Sequence, residues 1–219
     1  MVGDASAALA ARWQALQQQL PPATRLLAVS KGQPAERIRA LAALGQRSFG
    51  ESRLQEAEAK QKALADLPPL DWHFIGRLQA NKARGVLRRF GTIHSLDNLP
   101  LALRLQRIAV EEGLQPRVFL QVKLLPDAAK AGFELEALDQ LWPQLQALAP
   151  LQLAGLMTIA PLGLDSAGSR ALFASCAALA ARLGLPELSM GMSGDWPEAV
   201  AAGSTWVRLG SVLFGPREA

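Results

Sequence analysis

The sequence alternates between two kinds of run, and that alternation narrows the fold more than any other property. Eight short stretches have strand character: residues 25–30, 47–51, 71–76, 92–97, 117–123, 151–159, 187–193 and 205–211. Each of the first seven is followed by a stretch with helical spacing. The first of these, 34–45, has Pro34 near its start and Gly45 at its end, the usual asymmetry of helix termini. The others cover 53–66, 79–90, 98–113, 134–148, 166–184 and 196–203, with Pro143 placed to kink the fifth. The strands are apolar on both faces, as parallel strands covered by helices must be. Repeated βα units predict an α/β fold, and eight of them predict a single TIM-like (β/α)8 barrel, one domain over residues 1–219. No helical stretch follows the last strand, so the N-terminal helix, about residues 5–19, is expected to fill in for the last helix. An open doubly wound sheet is the alternative. The first strand is not followed by G-x-G-x-x-G, which weakens a dinucleotide-binding reading.

Half the residues are hydrophobic, yet none of the apolar runs reaches the length a membrane helix needs. The N-terminus lacks a basic region followed by an apolar core, so a secretory signal is not expected. Cys176 is the single cysteine and can form no intrachain disulfide, which fits a reducing compartment; the cytoplasmic location is the default. The formal charge is +4. Its densest contribution is Arg77, Lys82, Arg84, Arg88 and Arg89. A nucleic-acid surface is one reading of these residues. A solvated helix face with cations near its C-terminal end is the plainer one, because aromatic residues for base stacking are not interleaved. One cysteine and two histidines on separate strands supply no metal site.

In a parallel barrel the C-terminal strand ends converge on one mouth. Strand one delivers Lys31 there, strand two Glu51 and Ser52. Strand seven delivers Met192, Ser193 and Gly194, and strand eight Arg208, Gly210 and Ser211. The Ser/Gly pairs of strands seven and eight are neighbours, and such loops are a frequent phosphate site in barrels. Read singly, each pair is an ordinary turn. Strand eight also neighbours strand one, so a phosphate ligand there reaches Lys31. A lysine amine beside a phosphate site suggests pyridoxal 5′-phosphate held as a Schiff base; a solvated lysine at a strand end is the commoner case. His73 and His94 sit mid-strand, where histidines are usually hydrogen-bonded core residues. Met157, Met190 and Met192 read as barrel packing.

These residues stand in a longer series: LLAVSK ending at Lys31, FGESRLQEA at 49–57, WHFIGRLQANK at 72–82, IHSLD at 93–97, QVKLLPDAAKAGF at 121–133, GLMTI at 155–159 and LSMGMSGDWPEAVAAGSTWVRLGSVLFGPR at 188–217. From Leu26 onward the chain resembles the pyridoxal phosphate homeostasis proteins, single-domain barrel relatives of alanine racemase. The resemblance implies that Lys31 forms the Schiff base, that Ser193, Gly210 and Ser211 cradle the phosphate, and that Arg208 faces the pyridine nitrogen. A guanidinium only donates, which leaves that nitrogen unprotonated and makes the ring a poor electron sink. Two positions depart from the family pattern: Ser52 and Lys123 stand where asparagines are usual. Ser52 thus puts a cofactor contact in doubt, and Lys123 either competes for the ligand or points to solvent.

The chain contains no tyrosine. Racemases of the related fold take their second acid/base as a tyrosine from an added β-domain, so that route is closed here. The expected function is a monomeric carrier of pyridoxal phosphate that serves its supply, with PLP-dependent apo-enzymes as partners and without strong turnover. The alternatives are a PLP-dependent enzyme acting on an amino acid with Lys31 as its single base, and a phosphate-ligand or nucleic-acid binder in which Lys31 is incidental. A Schiff-base aldolase is weaker, because strand six ends without a lysine.

Overall fold

The computed structural model describes residues 2–125 and 131–216, with the side chains from residue 6 onward. Part of the 121–133 match, and Arg217, lie outside the described residues. The strands are β1 (Arg25–Val29), β2 (Ser48–Glu51), β3 (Asp71–Phe74), β4 (Thr92–Leu96), β5 (Arg117–Gln121), β6 (Gln152–Met157), β7 (Glu187–Ser189) and β8 (Trp206–Leu209). All neighbours pair in parallel, and β1 pairs with β8 to close the barrel. The helices are α1 (Val2–Gln19), α2 (Ala35–Ala43), α3 (Leu54–Ala63), α4 (Ala83–Arg89), α5 (Leu99–Glu112), α6 (Leu135–Gln146), α7 (Ser166–Arg182), α8 (Trp196–Ala201) and α9 (Ser211–Phe214).

Strand alternation explains the two-sided hydrophobicity. Leu26 and Ala28 point out to the helices, in a cluster that includes Ile38, Leu41 and Val207. Leu27 points inward and packs with Phe119, Ala154, Met157 and Trp206 in a separate interior cluster. The barrel is thus filled by side chains. Burying a phenylalanine such as Phe119 fully is worth about 1.5–3 kcal/mol.

The last helix position differs in detail from the expectation. A short α9 does follow β8, and Ser211 opens it instead of ending the strand. α1 packs against both α2 and α9, completing the ring where α9 is too short to do so alone. Leu9 and Leu16 are buried, and Arg12 Nε donates to the Leu213 carbonyl at 2.8 Å. α6 runs through Pro143 as one helix. β7 stops at Ser189, four residues short of the expected end; Gly191 has φ +87°, which a strand cannot accommodate.

Gly76 lets the ends of β2 and β3 approach closely. A Cβ there would lie 2.2 Å from the Ser52 carbonyl oxygen, a backbone atom that cannot swing aside. Gly76→Ala is expected to cost roughly 2–3 kcal/mol, read as a lower urea midpoint at unchanged slope.

Candidate functional site

Lys31 leaves the barrel in a turn whose backbone is held on both sides. Gly32 takes φ +73°, and Gln33 N–H donates to the Ser30 carbonyl at 2.9 Å. The Ser30 hydroxyl donates to Glu51 Oε1 at 2.6 Å, and Gly32 N–H donates to Glu56 Oε1 at 2.5 Å. Lys60, buried on α3, joins these contacts: its ammonium donates to the Ser30 carbonyl, Glu51 and Glu56, at 2.7, 2.7 and 2.6 Å. Glu51 therefore points outward to α3. The sequence placed it at the mouth, and alternation along β2 overrules that. Its Oε2 is buried without a partner, and burial pushes its carboxyl up, against the hydrogen bonds from Lys60 and Ser30.

The Lys31 side chain reaches a cavity of about 360 Å³ at the C-terminal end of the barrel. Met192, Ser193, Gly194, Arg208, Gly210 and Ser211 line the same cavity, together with Val29, Gln33, Ile75, Met157, Ile159 and Gly215. The loop after β7 and the start of α9 are joined there, since Val212 N–H donates to Ser193 Oγ at 3.3 Å. Met157 both packs the barrel interior and walls the cavity, a second role beyond the packing expected of it.

Arg208 is 5% exposed and touches no carboxylate among the described residues. Its Nη1 donates to the Ser189 carbonyl and hydroxyl at 2.5 and 2.8 Å, and Nη2 to the Thr158 carbonyl at 2.9 Å. Those bonds use only part of its N–H set, leaving donors for the cavity it lines. Burial pushes the guanidinium down to about 10, so it stays charged at neutral pH.

Ser52 is not brought to this cavity. It lines a separate one of about 120 Å³ with Arg53, Arg77 and Lys82. Lys123 is ion-paired with Glu134 and lies off the main cavity. The rest of the basic stretch is neutralised: Arg84 and Arg88 bond Glu112, which they hold down to about 2, and Arg84 also bonds Glu111. Arg89 lies 3.6 Å from Glu58.

Residues 5–218 match the family model described as alanine racemase, N-terminal domain. The chain is 50% identical over 204 residues to the pyridoxal phosphate homeostasis protein of Synechocystis sp., covering 90% of this chain and 94% of that protein. The chain belongs to the pyridoxal phosphate homeostasis protein family. The family protein of Escherichia coli K12 is 38% identical over 205 residues, 90% of this chain and 88% of that one. PipY of Synechococcus elongatus, solved without PLP, superposes with a TM-score of 0.93 at 54% identity, over 94% of this chain and 100% of PipY. PipY solved with PLP bound gives 0.91 at 53% identity, with the same coverage. Alanine racemase from Bartonella henselae, at 19% identity, shares the fold, with a TM-score of 0.75 over 98% of this chain and 61% of that one.

Within this member of the family, sequence reasoning missed the apolar cavity wall. Val29 was accessible to it, because a residue two before an inward lysine on a strand also points inward. Ile75, Met157 and Ile159 needed the barrel's register. The expectation that His73 and His94 are hydrogen-bonded core residues holds: both are fully buried, with ring nitrogens 2.8 Å apart.

Proposed function

We propose that the protein binds pyridoxal 5′-phosphate in the 360 Å³ cavity, covalently through Lys31, and serves intracellular supply of the cofactor without strong turnover. The observation that carries this reading is one cavity holding the Lys31 amine, a buried Arg208 with N–H groups to spare, and the Ser193 and Ser211 hydroxyls. This donor set fits the group: when bound, pyridoxal phosphate supplies an aldehyde that condenses with an amine with loss of water. Ser193, Gly194, Gly210 and Ser211 hold the phosphate in this account, Met192 packs beside it, and Arg208 donates to the ring nitrogen. Ser52, in the neighbouring cavity, makes no direct contact.

Weak turnover follows from the same lining. Among the described residues, Lys31 and Arg208 are the ionisable groups on the cavity wall, and Arg208 only donates. The apolar part of the wall is Val29, Ile75, Met157 and Ile159, which can neither give nor take a proton. The exposed Gly194 and Ser211 leave the phosphate end open to water, a way out towards PLP-dependent apo-enzymes. In this reading the chain works as a monomer in the cytoplasm.

The test begins with the visible spectrum of the purified protein. It should be yellow and bleach with borohydride; a colourless protein that takes up no added pyridoxal phosphate overturns the reading. Incubation with α-deuterated amino acids should then release deuterium far more slowly than about 1 s⁻¹, the low end of ordinary enzyme turnover. Release at or above that rate makes the protein an enzyme with Lys31 as its base.

A further inference from the structure

A continuous hydrogen-bonded chain crosses the barrel interior. Asp71 Oδ2 lies 2.6 Å from His73 Nε2, His73 Nδ1 2.8 Å from His94 Nε2, and His94 Nδ1 2.8 Å from Ser189 Oγ. Arg208 Nη1 lies 2.8 Å from the same Ser189 oxygen. Asp71 opens β3 at the N-terminal end of the barrel, and its side chain is 47% exposed. Arg208, near the end of β8, lines the cavity at the other end.

With both histidines neutral, the two ends fix the direction of every bond between them. A guanidinium can only donate and a carboxylate can only accept. Ser189 Oγ accepts from Arg208, so its proton goes to its other side-chain partner, His94 Nδ1. That nitrogen is then bare, and His94 carries its proton on Nε2, facing His73 Nδ1. His73 in turn carries its proton on Nε2 and donates it to Asp71. Both rings are neutral Nε2–H tautomers, and each of the three links is used once as acceptor and once as donor. Such aligned bonds polarise one another.

We propose that Asp71, His73, His94 and Ser189 form a one-directional relay that holds and polarises Arg208, which makes Asp71 a positioning residue for a cavity at the far end of the barrel. The relay supplies what Arg208 lacks, an anion for its buried charge. It presents a lone pair to Nη1 at each moment, because the Ser189 proton is committed to His94. The remaining Arg208 N–H groups are thereby kept aimed at the cavity.

One competing state exists, and it differs by a single proton. With an added proton on His73, the bonds reverse: His73 donates from both nitrogens, and His94 donates from Nδ1 to Ser189. That places an imidazolium in the core. The charged groups around the pair are Arg25 from β1, Arg117 from β5 and Arg208 from β8, with Asp71 from β3 and Glu187 from β7. Phe119 stacks on His94 at 4.4 Å and Trp206 lies 4.8 Å from His73, so water does not solvate the rings. Desolvation by burial is the largest cause that holds His94 well below the ordinary imidazole range, and the positive charges of Arg208, Arg117 and Arg25 act in the same direction.

Two measurements test the relay. In ¹⁵N-histidine-labelled full-length protein, both histidines should show protonated Nε2 and bare Nδ1 at about pH 7.5. A proton on Nδ1 of either ring at that pH overturns the assignment. The second uses Asp71→Asn, an isosteric change at a half-exposed position, with Asp66→Asn as a control carboxylate bonded to Arg39 away from the relay. Asp71→Asn should lower the pH midpoint of the visible band of bound pyridoxal phosphate by about half a unit or more, as loss of an anion coupled to the cavity through the buried relay requires. Asp66→Asn should leave it in place. Equal midpoints in the two variants overturn the proposal. The spectral arm rests on the cofactor reading given above and the nitrogen arm does not, so their failures are distinguishable.

Discussion

Alanine in place of Lys31 abolishes the borohydride-fixed adduct with pyridoxal phosphate. Covalent incorporation, read as added mass on the intact protein, should fall by about 100-fold or more, the consequence of losing the nucleophile itself. Among the described residues, no nearby lysine is placed to take over. Lys60 is locked among Glu51, Glu56 and the Ser30 carbonyl. Lys123 is paired with Glu134, and Lys82 lines the other cavity. Arg208 and the two serines remain in the variant, so reversible, non-covalent uptake of the same group should persist. An adduct that survives in the Lys31→Ala protein would move the site elsewhere, with Lys123 the first position to map.

Lys60→Met should be among the most destabilising changes in the chain. Methionine keeps the packing of the lysine stem but leaves Glu51 fully buried without its cation. Breaking such a pair costs about 3–5 kcal/mol, which for a chain of this size lowers Tm on the order of 10 °C. The pH dependence has a defined sign. The folded-state pKa of Glu51 lies above its ordinary value. Its contribution is therefore fully present below the ordinary carboxylate range and is lost as pH rises through the folded value. Removing the Lys60 hydrogen bonds raises that value further, so the Tm deficit should be larger at pH 7.5 than at pH 5. Thermal melts at the two pH values check this, and a deficit that shrinks towards neutral pH contradicts it. The variant should also loosen the turn carrying Lys31, because Lys60 holds the Ser30 carbonyl.

The barrel was legible because its strands are apolar on both faces and recur eight times, which a single-faced sheet would not show. Lys31, Ser193 and Arg208 were legible for a related reason: strand ends in a barrel converge, whatever the register. What escaped depended on the direction of single side chains. Glu51 and Ser52 are adjacent at the end of β2, and the alternation sends Glu51 out to Lys60. Ser52, with a short side chain and its carbonyl against Gly76, opens on a different cavity from Lys31. The histidines read correctly as core residues, but their partners did not. His73 sits level with Thr92 in the pairing, so meeting His94, and then Ser189 of β7, depends on the stagger of the closed barrel. Composition and spacing carry no signal for that stagger. The end of β7 was overrun because MGM continues the apolar pattern of the strand, whereas the backbone turns at Gly191.

The most direct test is to reduce the wild-type protein with borohydride in the presence of pyridoxal phosphate, digest it, and map the modified peptide. The account predicts one modified residue, Lys31, in the peptide that contains LLAVSK. Label on Lys123 or another lysine, or no label at all, would contradict it.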